Sequence, residues 1–220
     1  MRLAPLMRRL LPLLVPLLIL GCASPRGLQA PDDYTLIGPQ HMLEGYPARN
    51  EDGTVNVVVE IPTGTTAKWE VDKTDGSLRW EFRNGVPRVV QYLGYPGNYG
   101  MVPRTLLAVE DGGDGDPLDV LVIGDPVERG TVVRVNLLGV LRLLDGGEVD
   151  DKLIAVVDGH PFQTAKSLED LQRSFPGVTT IIETWFTSYK GPGGLTSSGW
   201  GEAADAYSIL DAAIATYGAR

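Results

Sequence analysis

The stretch that decides the interpretation of this chain is Asp114-Gly115-Asp116-Pro117-Leu118-Asp119, followed directly by Val120-Leu121-Val122-Ile123. The four apolar residues indicate a buried strand, and Gly115 with Pro117 predicts a bend that lets the three aspartates converge. Carboxylates this close repel each other by roughly 4 kcal/mol per pair at about 4 Å and an effective dielectric of about 20. Hard divalent cations such as Mg²⁺, Mn²⁺ or Ca²⁺ relieve that repulsion. The stretch therefore predicts a metal site, against the simpler reading of an acidic surface turn.

An EF-hand loop does not fit this spacing. Counted from Asp114, the position that needs glycine is Asp119, and the position that needs glutamate is Asp125.

Further charged and aromatic residues lie in short motifs on both sides of this stretch. They are Glu60, Lys68, Glu70, Arg83, Tyr95 and Tyr99 upstream, and Asp145, Asp150, Lys152, Tyr189 and Lys190 downstream. Taken singly, several have simpler explanations: Asp150 with Lys152 reads as a surface ion pair, and Tyr95 reads equally well as a core aromatic residue. Glu60 differs, because a carboxylate in a Val-rich strand needs a cation beside it.

Together and in this order, the motifs resemble the soluble family I inorganic pyrophosphatases, whose signature is Asp-x-Asp-Pro-x-Asp followed by small apolar residues. The match covers roughly residues 54 to 190. The resemblance implies metal-dependent hydrolysis of inorganic pyrophosphate to two phosphates by a metal-activated water, with Mg²⁺ or another divalent ion such as Mn²⁺. It also implies that homo-oligomers can form.

The resemblance implies a role for each side chain. Asp116 would be the general base, with Glu70 and Tyr95 in support. The implied metal ligands are Asp114, Asp119, Asp145, Asp150 and, mostly through water, Glu60. The implied substrate-binding residues are Lys68, Arg83, Tyr99, Lys152, Tyr189 and Lys190.

The charges of these residues agree with a role for metal ions. Seven carboxylates face only four cations in this set, so the site alone would repel pyrophosphate until several divalent ions reverse its sign. An arginine can then bind phosphate oxygens in bidentate fashion, and tyrosine hydroxyls can donate to phosphate without adding charge.

Two departures from the family pattern affect the phosphate ligands. Residues 191 to 199 contain no cation, although the family often has a lysine there. The segment before Tyr95 is long and contains Arg88 as a second candidate. We predict Arg83 as the ligand, because it directly follows an apolar strand and precedes the Asn84-Gly85 turn.

The first residues differ from the rest of the chain. Residues 1 to 21 combine three arginines with a Leu-rich run that is too short to span a bilayer comfortably, which predicts a signal peptide. The run ends at Gly21-Cys22, which resembles a bacterial lipoprotein box in which Cys22 is lipidated. The alternative is an ordinary signal peptide with an incidental cysteine. We expect an exported, lipid-anchored protein, on the outer membrane and facing the periplasm because Ala23 follows the cysteine.

The predicted organisation is a signal peptide over residues 1–21, a tether and N-terminal extension over 22–53, and a pyrophosphatase domain over 54–220. Residues 23 to 33 offer little to bury and favour a tether. Removing the signal peptide changes the net charge from −9 to −12. Such an acidic chain disfavours binding to nucleic acid.

The fold class that we predict is α+β, a small five-stranded OB-like β-barrel flanked by two or three α-helices. The predicted strands are residues 55–61, 68–71, 78–82, 120–123, 132–144 and 152–157. Apolar residues at helical spacing predict one helix from Val178 to Tyr189 and another that carries Tyr207, Leu210, Ile214 and Tyr217 on its buried face. Ser167 and Asp170 predict the start of a shorter helix.

Two other functions are compatible with parts of this pattern. A non-catalytic acidic lipoprotein that binds divalent ions would use the carboxylates. Simple metal binding does not require Asp116 as a base, and it does not require the cations Lys68, Arg83, Lys152 and Lys190. A barrel that binds oligonucleotides conflicts with the acidic charge.

Overall fold

The computed structural model describes residues 27–157 and 160–219 of the chain. The predicted signal peptide and Cys22 lie outside these residues. Within the described ranges there are thirteen strands and three α-helices. None of the helices there combines the length and hydrophobicity needed to span a membrane.

The strands are β1 (Gln29–Asp32), β2 (Thr35–Ile37), β3 (Val55–Ile61), β4 (Trp69–Val71), β5 (Leu78–Trp80), β6 (Phe82–Arg83), β7 (Val86–Pro87), β8 (Asn98–Met101), β9 (Asp119–Ile123), β10 (Val132–Asp145), β11 (Glu148–Val149), β12 (Lys152–Val157) and β13 (Leu195–Glu202). The helices are α1 (Leu168–Ser174), α2 (Val178–Ser188) and α3 (Ala203–Gly218).

Five strands close into a ring, which confirms the predicted barrel. The order is β3, β8, β9, β12 and β10, and pairing of β10 with β3 completes the ring. Every residue of β3 is buried, as its Val-rich sequence predicts. The β9 and β12 strands are parallel, and the other pairs in the ring are antiparallel. β13 extends the sheet by pairing along β10.

Alternate residues of β9 and β12 belong to two different apolar clusters. On β9, Val120 and Val122 belong to a cluster that includes α3, whereas Leu121 and Ile123 belong to one that includes α1 and α2. Strand side chains alternate between faces, so β9 and β12 each contribute to both clusters. The helices thus flank the barrel as predicted.

The N-terminal extension is more structured than the sequence indicated. β1 begins at Gln29, inside the predicted tether, and pairs with β2, which continues through β5 to β4. Met42 and Leu43 are buried in a third apolar cluster with residues of β4 and β5. The tether prediction for residues 23 to 33 is therefore wrong from Gln29 onward, because β1 gains backbone hydrogen bonds from β2 despite exposed side chains.

Candidate active site

The strand directions bring distant parts of the chain to one end of the barrel. β9 and β12 are parallel, so their first residues, Asp119 and Lys152, lie side by side. β10 is antiparallel to β12, so its last residue, Asp145, reaches the same end. The triple-Asp stretch enters β9 here, and Asp150 precedes β12.

A cavity of about 260 Å³ lies at this end. Its lining includes all seven carboxylates of the predicted set: Glu60, Glu70, Asp114, Asp116, Asp119, Asp145 and Asp150. It also includes the cations Lys68, Lys73, Arg88, Lys152 and Lys190, and the phenols of Tyr99 and Tyr189. Residues separated by more than a hundred positions therefore meet around one space.

Lys152 is the most deeply buried cation of the cavity. Its residue is 2% exposed, and its ammonium lies 2.6 Å from Asp119 and 2.5 Å from Asp150. Burial lowers the pKa of Lys152, but the two carboxylates outweigh this effect and the pKa is raised. The simpler alternative of a surface ion pair for Asp150 and Lys152 is therefore excluded, because Lys152 lies at the centre of a partly buried ion cluster.

Glu60 is buried on β3 and accepts a hydrogen bond from the Val71 amide at 2.8 Å. Burial raises the pKa of this carboxyl to about 8, although the nearby Lys68 acts in the opposite direction. Burial also raises the pKa of Asp114 and of Asp150. Each of these carboxylates would be ionised more readily if a further positive charge approached it.

The other lysines of the cavity each contact a carboxylate. Lys68 lies 2.7 Å from Glu70, and Lys190 forms an ion pair with Asp145. Burial lowers the pKa of Lys68, but Tyr95 and two glutamates raise it by more. The Lys68 ammonium also lies 5.4 Å from the centre of the Tyr99 ring.

The tyrosines divide into two positions. Burial raises the pKa of Tyr99 and Tyr189, so both phenols stay protonated and can donate hydrogen bonds. Tyr95 does not line the cavity. It is 2% exposed, and its ring packs against Tyr99 at 5.0 Å and Trp185 at 4.4 Å. It supports Tyr99 from behind.

The Arg83 prediction is not supported by the structure. Arg83 is exposed on the β6–β7 hairpin and is absent from the cavity lining, where Arg88 is found. The Asn84-Gly85 turn, with Asn84 at φ 54°, reverses the chain into the β6–β7 hairpin, in which Arg83 is exposed. Arg88 has the firmer base, because its amide donates to Glu81 at 2.7 Å and its carbonyl accepts from the Lys68 amide at 3.0 Å.

Lys73 is a cavity residue that the sequence motifs did not identify. It follows β4 and forms an ion pair with Asp116. It lies three residues after Glu70, and no local sequence pattern distinguishes it.

The donor set fits hard divalent cations. Every predicted metal ligand lines the cavity and offers carboxylate oxygen, the donor that Mg²⁺ prefers. Within the described part of the chain, no group of three or more Asp, Glu, His or Cys side chains is arranged around a single metal position. Asp119, Asp145 and Asp150 instead contact lysines, as described above.

Comparison with known proteins gives consistent matches. The family model that matches is described as Inorganic pyrophosphatase and covers residues 57–218. The mitochondrial inorganic pyrophosphatase of Saccharomyces cerevisiae is 37% identical over 163 residues, which are 64% of this chain and 52% of the yeast protein. The chain spans about half the length of the curated relatives it matches.

Solved structures are similar over most of the chain. The type I inorganic pyrophosphatase from Toxoplasma gondii has a TM-score of 0.75 at 30% identity, covering 82% of this chain and 88% of that one. An N-terminally truncated vacuolar soluble pyrophosphatase of Trypanosoma cruzi in complex with PPi has a TM-score of 0.71 at 27% identity, covering 81% and 74%. From the barrel, the cavity and the match over residues 57–218, the chain belongs to the inorganic pyrophosphatase family.

Proposed function

We propose that this chain hydrolyses inorganic pyrophosphate to two phosphates in a Mg²⁺-dependent reaction at the cell envelope. The observation that carries the proposal is the joint lining of one cavity by seven carboxylates, five cations and two protonated phenols. A similar structure holds PPi. The predicted homo-oligomer stays a prediction.

The side chains divide the work of the reaction. Asp114, Asp119, Asp145, Asp150 and Glu60 would hold the Mg²⁺ ions. Bound Mg²⁺ lowers the pKa of water and neutralises phosphate oxygens. Asp116 accepts a proton from the water that attacks phosphorus, and the bond from that phosphorus to the bridging oxygen breaks. Arg88, Lys68, Lys152 and Lys190 bind the phosphate oxygens, and they stabilise the charge on the departing phosphate.

The direct test is phosphate release from pyrophosphate by the purified full-length chain. We expect turnover with Mg²⁺ and its loss with a chelator. Asp116→Asn should keep the fold and lower kcat by about 10² to 10⁴, the range typical of a general base. Asp33→Asn, which changes an exposed aspartate outside the cavity, is the matched control.

Two results would contradict the proposal. A folded wild-type chain that binds Mg²⁺ but releases no phosphate would favour the non-catalytic metal-binding lipoprotein. Near wild-type turnover by folded Asp116→Asn would remove Asp116 from the role of base.

The envelope location is a second part of the proposal. It rests on the Leu-rich run that precedes Gly21 and Cys22. Lipidation of Cys22 would place the enzyme at the outer membrane, facing the periplasm, where it would act on pyrophosphate in that compartment.

A further inference from the structure

The chain has five lysines, and four of them line the active-site cavity. The sequence motifs give a role to Lys68, Lys152 and Lys190. They give none to Lys73, and the mechanism described above does not use its contact with Asp116. Lys166, the fifth lysine, lies outside the cavity and is exposed.

The backbone that carries Lys73 is held firmly between β4 and β5. Asp72 closes the turn through its amide, which donates to Ser77 at 2.8 Å, and through its carbonyl, which accepts from Gly76 at 2.8 Å. The Asp72 side chain accepts from the Thr74 amide at 2.8 Å and lies 3.2 Å from the Arg79 guanidinium. Lys73 therefore extends from a fixed base.

The Lys73 ammonium contacts two groups of the triple-Asp stretch. It forms an ion pair with Oδ1 of Asp116 and donates to the Gly115 carbonyl at 3.2 Å. Among the described residues, Lys73 is the one lysine or arginine in an ion pair with Asp116. The Gly115 carbonyl and the Asp116 carboxylate are thus both held by the Lys73 ammonium.

A role in stability does not explain this pair. The side chains of Lys73 and Asp116 are 52% and 53% exposed, and ion pairs with that exposure contribute little to the free energy of unfolding. The pair can instead orient the Asp116 carboxylate, because an aspartate carboxylate rotates about two bonds. A contact that fixes one oxygen directs the other and reduces the entropy lost when the reacting groups align.

We propose that Lys73 is a positioning residue for Asp116. This proposal rests on the proposed function. Its ammonium holds Oδ1 so that Oδ2 accepts the proton from the attacking water. Because Lys73 acts through Asp116 and does not bind pyrophosphate, its loss should slow turnover without weakening substrate binding.

The test is steady-state pyrophosphate hydrolysis by the full-length chain at saturating Mg²⁺. Lys73→Gln should lower kcat on the order of tenfold, the size expected for a lost charge-assisted hydrogen bond, with the KM for pyrophosphate unchanged. Lys73→Arg, which keeps the charge, should recover most of the loss. Lys166→Gln removes an exposed lysine elsewhere and should match wild type.

A double-mutant cycle separates positioning from other effects. In the Asp116→Asn background, Lys73→Gln should cause little further loss, because the group that it positions has lost its function. Fully additive losses would overturn the proposal, and so would a raised KM with unchanged kcat, which would make Lys73 a phosphate ligand. An active wild type with an unaffected Lys73→Gln overturns the positioning role alone. An inactive wild type overturns the proposed function and this role together.

Discussion

At the scale of single residues, the arginines show how local sequence can mislead. Arg83 follows an apolar run and precedes a turn, which is why it is the sequence-based prediction. The structure shows that the turn makes a separate hairpin, β6–β7, with exposed Phe82 and Val86. Arg88 follows the hairpin, and it lies 2.6 Å from Glu81 with its guanidinium at the cavity.

We therefore expect Arg88→Ala, and not Arg83→Ala, to impair the proposed reaction. A lost charged hydrogen bond costs about 1.5 to 3 kcal/mol, so Arg88→Ala should lower kcat/KM for pyrophosphate by at least roughly tenfold. Arg83→Ala is the matched control and should change kcat/KM little. Steady-state kinetics of both folded variants at saturating Mg²⁺ measures this, and the opposite order would return the role to Arg83.

At the scale of elements, the differences between the predicted and the observed strands and helices follow from the contacts of particular residues. The sequence does not predict β8, because Asn98 and Gly100 are poor strand formers. In the barrel, Gly100 pairs with Val59, and a Cβ added at Gly100 would lie 1.9 Å from the Val58 carbonyl oxygen. The glycine permits a backbone approach that no other residue allows.

This contact predicts a strong effect of a single methyl group. Gly100→Ala must separate β3 from β8, and we expect a loss on the order of 3 kcal/mol in the free energy of unfolding. Gly218→Ala is the matched control, because a Cβ added there would contact no atom within 4 Å. Urea denaturation compares the two variants with wild type, and a Gly100→Ala midpoint equal to that of wild type would contradict the prediction.

For the helices, the sequence predicts the position of each helix but not which face is buried. α3 forms where predicted, but its buried residues are Ala206, Leu210 and Ala213, whereas Tyr207 is only partly buried. Small residues face the barrel because the helix packs closely against it. On α2, Ile182 is buried, but its neighbour Ile181 is 62% exposed. Periodicity predicts the helix, and the barrel surface determines which side of it is covered.

At the scale of the whole molecule, the proposed membrane anchor and the proposed chemistry belong to separate parts of the chain. The described residues hold the barrel and the cavity, whereas the proposed anchor lies before them. The first strand begins at Gln29, seven residues after Cys22. A lipid at Cys22 would therefore attach close to the folded protein.

The anchor is tested by Cys22→Ser in a Gram-negative host. Wild type should fractionate with membranes and carry acyl groups on an N-terminal Cys22, because the thiol is the site of lipidation. The variant lacks that thiol and should be unprocessed or soluble. Fractionation and mass spectrometry of the N-terminus measure both, and an unmodified mature N-terminus other than Cys22 in wild type would exclude the anchor.

The sequence alone determines the barrel strands with strong apolar patterns and all seven cavity carboxylates. β3 and β12 have the bounds predicted from their Val-rich runs. Such patterns are local, because each strand must bury its own apolar side chains. The Asp spacing is local as well, since six consecutive residues supply three of the carboxylates.

Only the tertiary structure decides which cations meet these carboxylates. Lys73 and Arg88 reach the cavity from the β4–β5 turn and the segment after β7, and neither position has a distinctive local pattern. The contact between Lys73 and Asp116 joins residues that are distant in sequence. It depends on the tertiary structure, in which the parallel β9 and β12 bring their first residues to one end of the barrel.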